Sequence, residues 1–325
     1  MRKIYIYPTY TPSRDKSGNL YIKYFHDSFK NQSDIKLINR LWKIGVCSMI
    51  FNLDAQIFII QWVDLIPQKK FGKIQFIFFV ILIYILKITK KEIIWVLHNK
   101  HAHKGKSKIV DRGMYLMAKY SNSVMVHAKE GVSFFNNKYP QYKGKCHYIP
   151  HPVYTSKIYS STDNYEWDYI IWGNISRRKN IIEFIQFARN DVFFNNKKIL
   201  ICGQCNDILY DTEIKKILPD NITYLNKFIE DDELIALIKK SKNILFTYNT
   251  SSILSSGALI YSLNFNKPII GPNAGNFSEL SGIVTCYNKF EDIPNLEIKF
   301  TPENIQNYLT QNTWENLPNK VLNIL

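Results

Sequence analysis

Residues 168–180, DYIIWGNISRRKN, decide the fold. The apolar run at 169–172 reads as a buried strand, Gly173 ends it, and Arg177, Arg178 and Lys179 follow just ahead of a helix-like segment. Strand, glycine turn and helix in this order point free backbone N–H groups and the positive end of a helix dipole at one spot, where an anion is held. Cations there add direct charge pairing. Taken alone, the same segment also reads as a solvated basic turn.

A second segment of this kind lies downstream. Residues 243–248 (NILFTY) form a strand pattern, and Ser251, Ser252, Ser255, Ser256 and Gly257 precede the apolar helix pattern ALIYSL. Hydroxyls and a glycine at a helix start can donate to phosphate oxygens, although ordinary helix capping explains them as well. Lys267-Pro268 then ends that helix, and 269–272 (IIGP) repeats the strand and glycine turn. Two such segments in one half of the chain predict a shared ligand with more than one phosphate.

Outward from these motifs, strands alternate with helical stretches over all 325 residues, a length that suits two ordinary domains. The fold class expected is α/β, with two doubly wound Rossmann-like domains and ligands outside the carboxyl ends of the strands. Hydrophobic residues make up 46% of the chain, which excludes a disordered protein. The polar run 155–166 (TSKIYSSTDNYE) marks the seam.

In the order of its parts the C-terminal half resembles the nucleotide-sugar domain of GT-B glycosyltransferases, particularly family four of bacterial polysaccharide assembly. The parts are WGNISRRKN, KKILICGQ (197–204), the run ending in NILFTYN, and SSGALIYSLNFNKPIIGP. The N-terminal half carries a matching series: KIYIYPTY, EIIWVLHN (92–99), SVMVHA (123–128) and YIPHPVY (148–154). The resemblance implies an acceptor-binding domain at 1–154, a linker at 155–166, a nucleotide-sugar domain at 167–300, and a helical segment at 301–325 that packs back towards the first domain. It implies a donor site of Gly173, Arg177, Lys179, Gly203, Ser255, Ser256 and Gly257. One departure stands out. The spaced pair of glutamates that many members carry ahead of the Lys-Pro step is replaced here by Ile253 and Tyr261, so Glu279 becomes the candidate for a sugar-hydroxyl contact, against a solvent-facing role at a helix start.

Seven histidines supply candidates on the acceptor side. His98 ends a central strand pattern and is the first candidate for a catalytic base, with His127 and Asp111 next and Glu130 behind them; Asn99 and His151 fall to the acceptor. Each histidine also reads as a hydrogen-bonded structural residue. His98, His101 and His103 crowd together without a fourth zinc ligand, and Cys202 and Cys205 form a lone CxxC at a strand end that reads as buried. Five cysteines make no disulfide framework. No metal or other cofactor is expected: no Asp-x-Asp is present, and the acidic run 230–233 reads as a helix start.

The net charge of +15 reads either as lysine spread over helix surfaces for solubility or as the mark of an anionic partner. No nucleic-acid-binding motif is visible. Residues 74–88 (IQFIFFVILIYILKI) are apolar on nearly every side and are followed by Lys90 and Lys91, which fits an anionic membrane surface. The run is too short to span hydrocarbon, so it is either buried or in contact with lipid. The N-terminus lacks a signal-peptide pattern. The expectation is a metal-independent glycosyltransferase, cytoplasmic and peripheral on the inner face of the cell membrane. It would move a sugar from a nucleotide-diphosphate donor to a lipid-linked saccharide in capsular, O-antigen or exopolysaccharide synthesis. A nucleotide-sugar epimerase on the same fold and a non-catalytic polyanion-binding or membrane-binding protein are the alternatives. Retention of configuration is implied by the resemblance; inversion with a histidine or carboxylate base stays open.

Overall fold

The computed structural model describes residues 1–10, 20–100, 107–155, 157–160, 164–251 and 253–325. His101, His103 and Ser252 lie outside the described residues. The chain divides into two compact units: residues 1–154 with 312–325, and residues 155–311.

The first unit is built on six strands: β1 (Arg2–Tyr7), β2 (Ile35–Leu37), β3 (Ile57–Gln61), β4 (Glu92–Val96), β5 (Ser123–Val126) and β6 (Cys146–Tyr148). They run parallel in the order β2-β1-β3-β4-β5-β6. The second has β7 (Trp167–Trp172), β8 (Ile199–Cys202), β9 (Ile222–Leu225), β10 (Ser241–Leu245), β11 (Ile269–Pro272) and β12 (Val284–Tyr287), parallel in the order β12-β11-β10-β7-β8-β9. Parallel sheets are covered on both faces, and the sequence meets that demand with apolar runs: IFII of β3 and ILIC of β8 are buried throughout, as is the Gln61 that ends β3. Each sheet has one point where the strand order reverses, between β1 and β3 and between β7 and β10. Loops leaving the carboxyl ends of those strands diverge and open a crevice there.

Asn264 donates to the carbonyls of Thr155 (2.7 Å) and Lys157 (2.8 Å), and the rings of Tyr159 and Phe265 stack, so the start of the stretch read as a linker lies against the second unit. The helix Pro302–Gln311 belongs to that unit too. Only from Asn312 onwards does the chain join the first unit, where Trp314, Leu317 and Val321 pack with Ile4, Tyr21 and Phe25.

The apolar run forms the helix Gly72–Ile88. It is neither wholly buried nor long enough to cross a bilayer. Phe76, Phe79, Leu82, Ile83 and Leu86 enter the core of the first unit, while Ile74, Ile77, Phe78 and Ile81 on the opposite side are exposed. No helix among the described residues is long and apolar enough to span a membrane.

Candidate functional site

At the carboxyl edge of the second sheet, β7 ends at Gly173, whose φ of +93° needs no Cβ. A short 3-10 turn, Arg177–Lys179, follows, Asn180 in the left-handed region closes it, and the helix Ile181–Ala188 begins. The turn swings Lys179 back under the glycine. Its side chain is only 5% exposed, and its Nζ donates to the Trp172 carbonyl and lies 5.5 Å from the centre of the Tyr248 ring. Among the described residues no carboxylate pairs with this ammonium group. Burial lowers its proton affinity, and Tyr248 and Cys202 partly restore it. A buried cation without a counterion is costly, and a ligand anion would relieve that cost.

Tyr248, just beyond β10, joins the two expected halves of the site. Ser256 donates its hydroxyl to Tyr248 Oη (3.3 Å) and accepts from the Leu259 N–H (3.2 Å), which makes it the N-cap of the helix Gly257–Ser262. Asn276 ties this corner down: its Oδ1 accepts from the Ser256 N–H (3.1 Å) and its Nδ2 donates to Ser255 Oγ (3.4 Å). Lys179 and Ser256 therefore meet around one aromatic ring at the reversal point of the sheet, with Ser255 joined to them through Asn276. Glu279 lies at the end of the helix Gly275–Glu279 that carries Asn276.

Arg177 requires a correction. Expected as a phosphate cation, it points to the helix Ile208–Ile217, where it pairs with Glu213 (3.1 Å) and Asp207 (3.2 Å) and covers the Tyr210 ring. Glu213, then Asp207, hold its guanidinium more firmly protonated than usual. It braces the loop after β8 and leaves Lys179, with the exposed Arg178, as the cations of the turn.

Gly203, at φ +144°, is packed against the first turn: a Cβ built on it would lie 2.2 Å from the Gly173 carbonyl oxygen. Gly203→Ala is expected to destabilise the protein by about 2–3 kcal/mol, the range for a backbone clash in a glycine-only conformation. Gly144, at φ +95° with nothing within 4 Å of its would-be Cβ, is the control, and its alanine variant should lose about 1 kcal/mol or less. Urea denaturation checks both; equal losses would mean that the turns after β7 and β8 do not press on each other.

At the carboxyl edge of the first sheet the structure gathers three of the predicted histidines. His127 Nδ1–H donates to the Ile149 carbonyl (2.8 Å), so its bare Nε2 accepts the Tyr21 hydroxyl (2.6 Å). His151 Nδ1–H donates to the Pro152 carbonyl (2.7 Å). His98 stacks on Trp62 (4.0 Å between centroids), and its Nε2 bonds Gln61 Oε1 (3.0 Å). The Tyr21 ring touches all three imidazoles edge-on at 5.0–5.5 Å. Burial pushes His98 down to about 3 and His151 to about 4, and pushes His127 well down, so all three rings are neutral at pH 7. A base with that affinity is poorly matched to proton abstraction near neutrality. Asn99 Nδ2 donates to Asp64 Oδ2 (3.1 Å), Asp111 is exposed and paired with Lys138 (3.4 Å), and Glu130 pairs with Lys100.

No protein-family model matches the sequence, and no curated protein matches it either. Solved structures do. Anabaena HepE, crystallised with UDP, superposes over 100% of both chains with a TM-score of 0.65 at 12% identity. The fold is GT-B. The catalytic domain of starch synthase IV from Arabidopsis thaliana, bound to ADP and acarbose, gives 0.57 at 10% identity over 94% of this chain and 76% of that one. TarM, known from S. aureus, gives 0.55 at 15% identity over 82% of this chain, which covers 54% of TarM. At these identities the likeness is one of GT-B architecture.

Proposed function

We propose that this chain is a glycosyltransferase that moves a sugar from a nucleotide-diphosphate donor to a saccharide acceptor. The observation that carries the reading is Lys179: a buried ammonium group, with no carboxylate partner among the described residues, beneath a glycine turn at the reversal point of a parallel sheet. A diphosphate supplies the missing charge. When the bond from the sugar's anomeric carbon to the diphosphate oxygen breaks, negative charge grows on that oxygen, and a preorganised cation in a dry site favours the step. The acceptor hydroxyl oxygen then bonds the anomeric carbon. Its proton passes to a donor phosphate oxygen if configuration is retained. In this reading Gly173 keeps the backbone open to the ligand, Gly203 lets the turn after β8 pack against it on the donor side, Ser255, Ser256 and Gly257 complete the anion contacts, Glu279 serves a sugar hydroxyl, and His98, His127, Asn99 and His151 form the acceptor side, with Asp111 peripheral to it.

Related folds support the donor class, since HepE was crystallised with UDP and with UDP-glucose, and the starch synthase domain with ADP. The sequence between Asn249 and Leu280 holds one acidic residue, Glu279, which favours transfer over epimerisation, a reaction that needs several acidic groups around the sugar. The further parts of the proposal are a lipid-linked acceptor in capsular, O-antigen or exopolysaccharide synthesis, no metal requirement, and a cytoplasmic location at an anionic membrane.

A panel of UDP-, GDP- and CMP-sugars tests the reading. One donor is expected to be consumed, slowly by water and faster with an oligosaccharide acceptor, with nucleotide release unchanged by EDTA. If no nucleotide sugar binds, the proposal falls; if turnover stops with EDTA and returns with a divalent ion, the charge on the diphosphate is handled by a metal.

A further inference from the structure

We propose that the exposed side of the helix Gly72–Ile88 is a docking face for an anionic lipid surface, an inference that rests on the membrane-linked function above and gives it a place on the molecule. The helix carries two apolar faces where a globular helix needs one. Phe76, Phe79, Leu82 and Ile83 fill the core. On the other side Ile74, Ile77, Phe78, Ile81 and Ile88, at helical spacing, leave a continuous apolar stripe in solvent, with Ile77 60% and Ile88 79% exposed.

The rim of the stripe identifies what covers it. From Leu65 to Lys91 the sequence has six lysines and no acidic residue. At the C-terminal end of the helix, Lys87 lies close enough to Lys145 to depress its proton affinity beyond the effect of burial. Tyr84 packs against Tyr120 (5.1 Å), and Lys119 covers the Tyr120 ring (5.0 Å). Apolar residues in the middle with tyrosines and lysines around them match the layers of a bilayer interface, where acyl chains, carbonyl-level amphipathic groups and anionic headgroups succeed one another. A protein partner fits less well, because the cores of protein interfaces are depleted in lysine. A two-fold pairing of this face with a second copy would set lysine against lysine.

Vesicle flotation tests the face without any sugar donor present. Wild-type protein is expected to float with vesicles of roughly three parts phosphatidylcholine to one part phosphatidylglycerol, and to bind pure phosphatidylcholine about tenfold less. Roughly 0.5 M salt should release most of it, because exposed charges are screened within a few ångströms. Ile77→Glu with Ile81→Glu should weaken binding by about tenfold or more at positions the core does not use. Lys87→Glu with Lys91→Glu should do the same for anionic vesicles alone. Val192→Glu, at an exposed apolar site on the second unit, should bind as wild type. The proposal is overturned if wild type does not float, if the Ile77 and Ile81 pair floats equally well, or if sedimentation shows a dimer that this pair dissolves. Transfer to a soluble acceptor without flotation would remove the docking face and leave glycosyl transfer standing; flotation without turnover of any donor would do the reverse.

Discussion

Lys179→Met is expected to lower kcat/KM for sugar transfer by roughly 100- to 1,000-fold, the effect of removing one preorganised electrostatic donor from a water-excluded site. Stability should hold or rise, because methionine keeps the length and apolar stem while removing a buried charge. Lys179→Arg should not restore activity: a Cβ built on Gly173 would already lie 3.0 Å from Nζ, so the turn leaves no room for a guanidinium. Thermal melts alongside steady-state kinetics separate charge from packing. If the methionine variant turned over normally, the phosphate grip would have to be assigned elsewhere; if it lost activity only in proportion to lost folded protein, Lys179 would be a structural residue.

Acid should unfold the first unit before the second. His98, His127 and His151 are held neutral by burial, with folded affinities far below the ordinary value near 6.5. The unfolded chain therefore binds more protons than the folded chain in the window between about pH 6.5 and 4. Stability is fully present above the upper limit and is lost as pH falls towards the folded values. With shifts of this size the loss between pH 7 and pH 4 is on the order of 3 kcal/mol or more. Melts followed across that range, with His151→Gln as a partial relief of the slope, check it. A flat profile down to pH 4 would mean that the imidazoles charge without penalty and are open to water.

What could be read from the sequence was local. Gly173, Lys179, Gly203 and Ser256 lie in strand, turn and helix segments a few residues long, where spacing alone fixes geometry. The two GT-B sheets were legible for the same reason, since buried parallel strands have to be written as apolar runs. Arg177 was misread because its partners Asp207 and Glu213 are 30 and 36 residues away, and nothing in SRRK signals them. Tyr248 was read as the last residue of a strand over 243–248, whereas β10 ends at Leu245 and leaves the ring in the loop beyond it. The Tyr21 hydroxyl reaches His127 across 106 positions. The helix Gly72–Ile88 hid its orientation differently: with apolar residues on both sides, the 3.6-residue period that would mark the buried face is erased.

The return of the chain to its first unit sets an order of assembly. During synthesis, residues 155–311 can complete their sheet as soon as they leave the ribosome, whereas the first sheet waits, with Ile4, Ile6, Tyr21 and Phe25 only partly covered, until Trp314, Leu317 and Val321 have been made. The half of the molecule translated first is thus the half finished last. A chain stopped after Gln311 should give a protease-resistant second unit joined to a first unit that is cut readily, and nascent chains should depend on a holdase until residues 312–325 have been made.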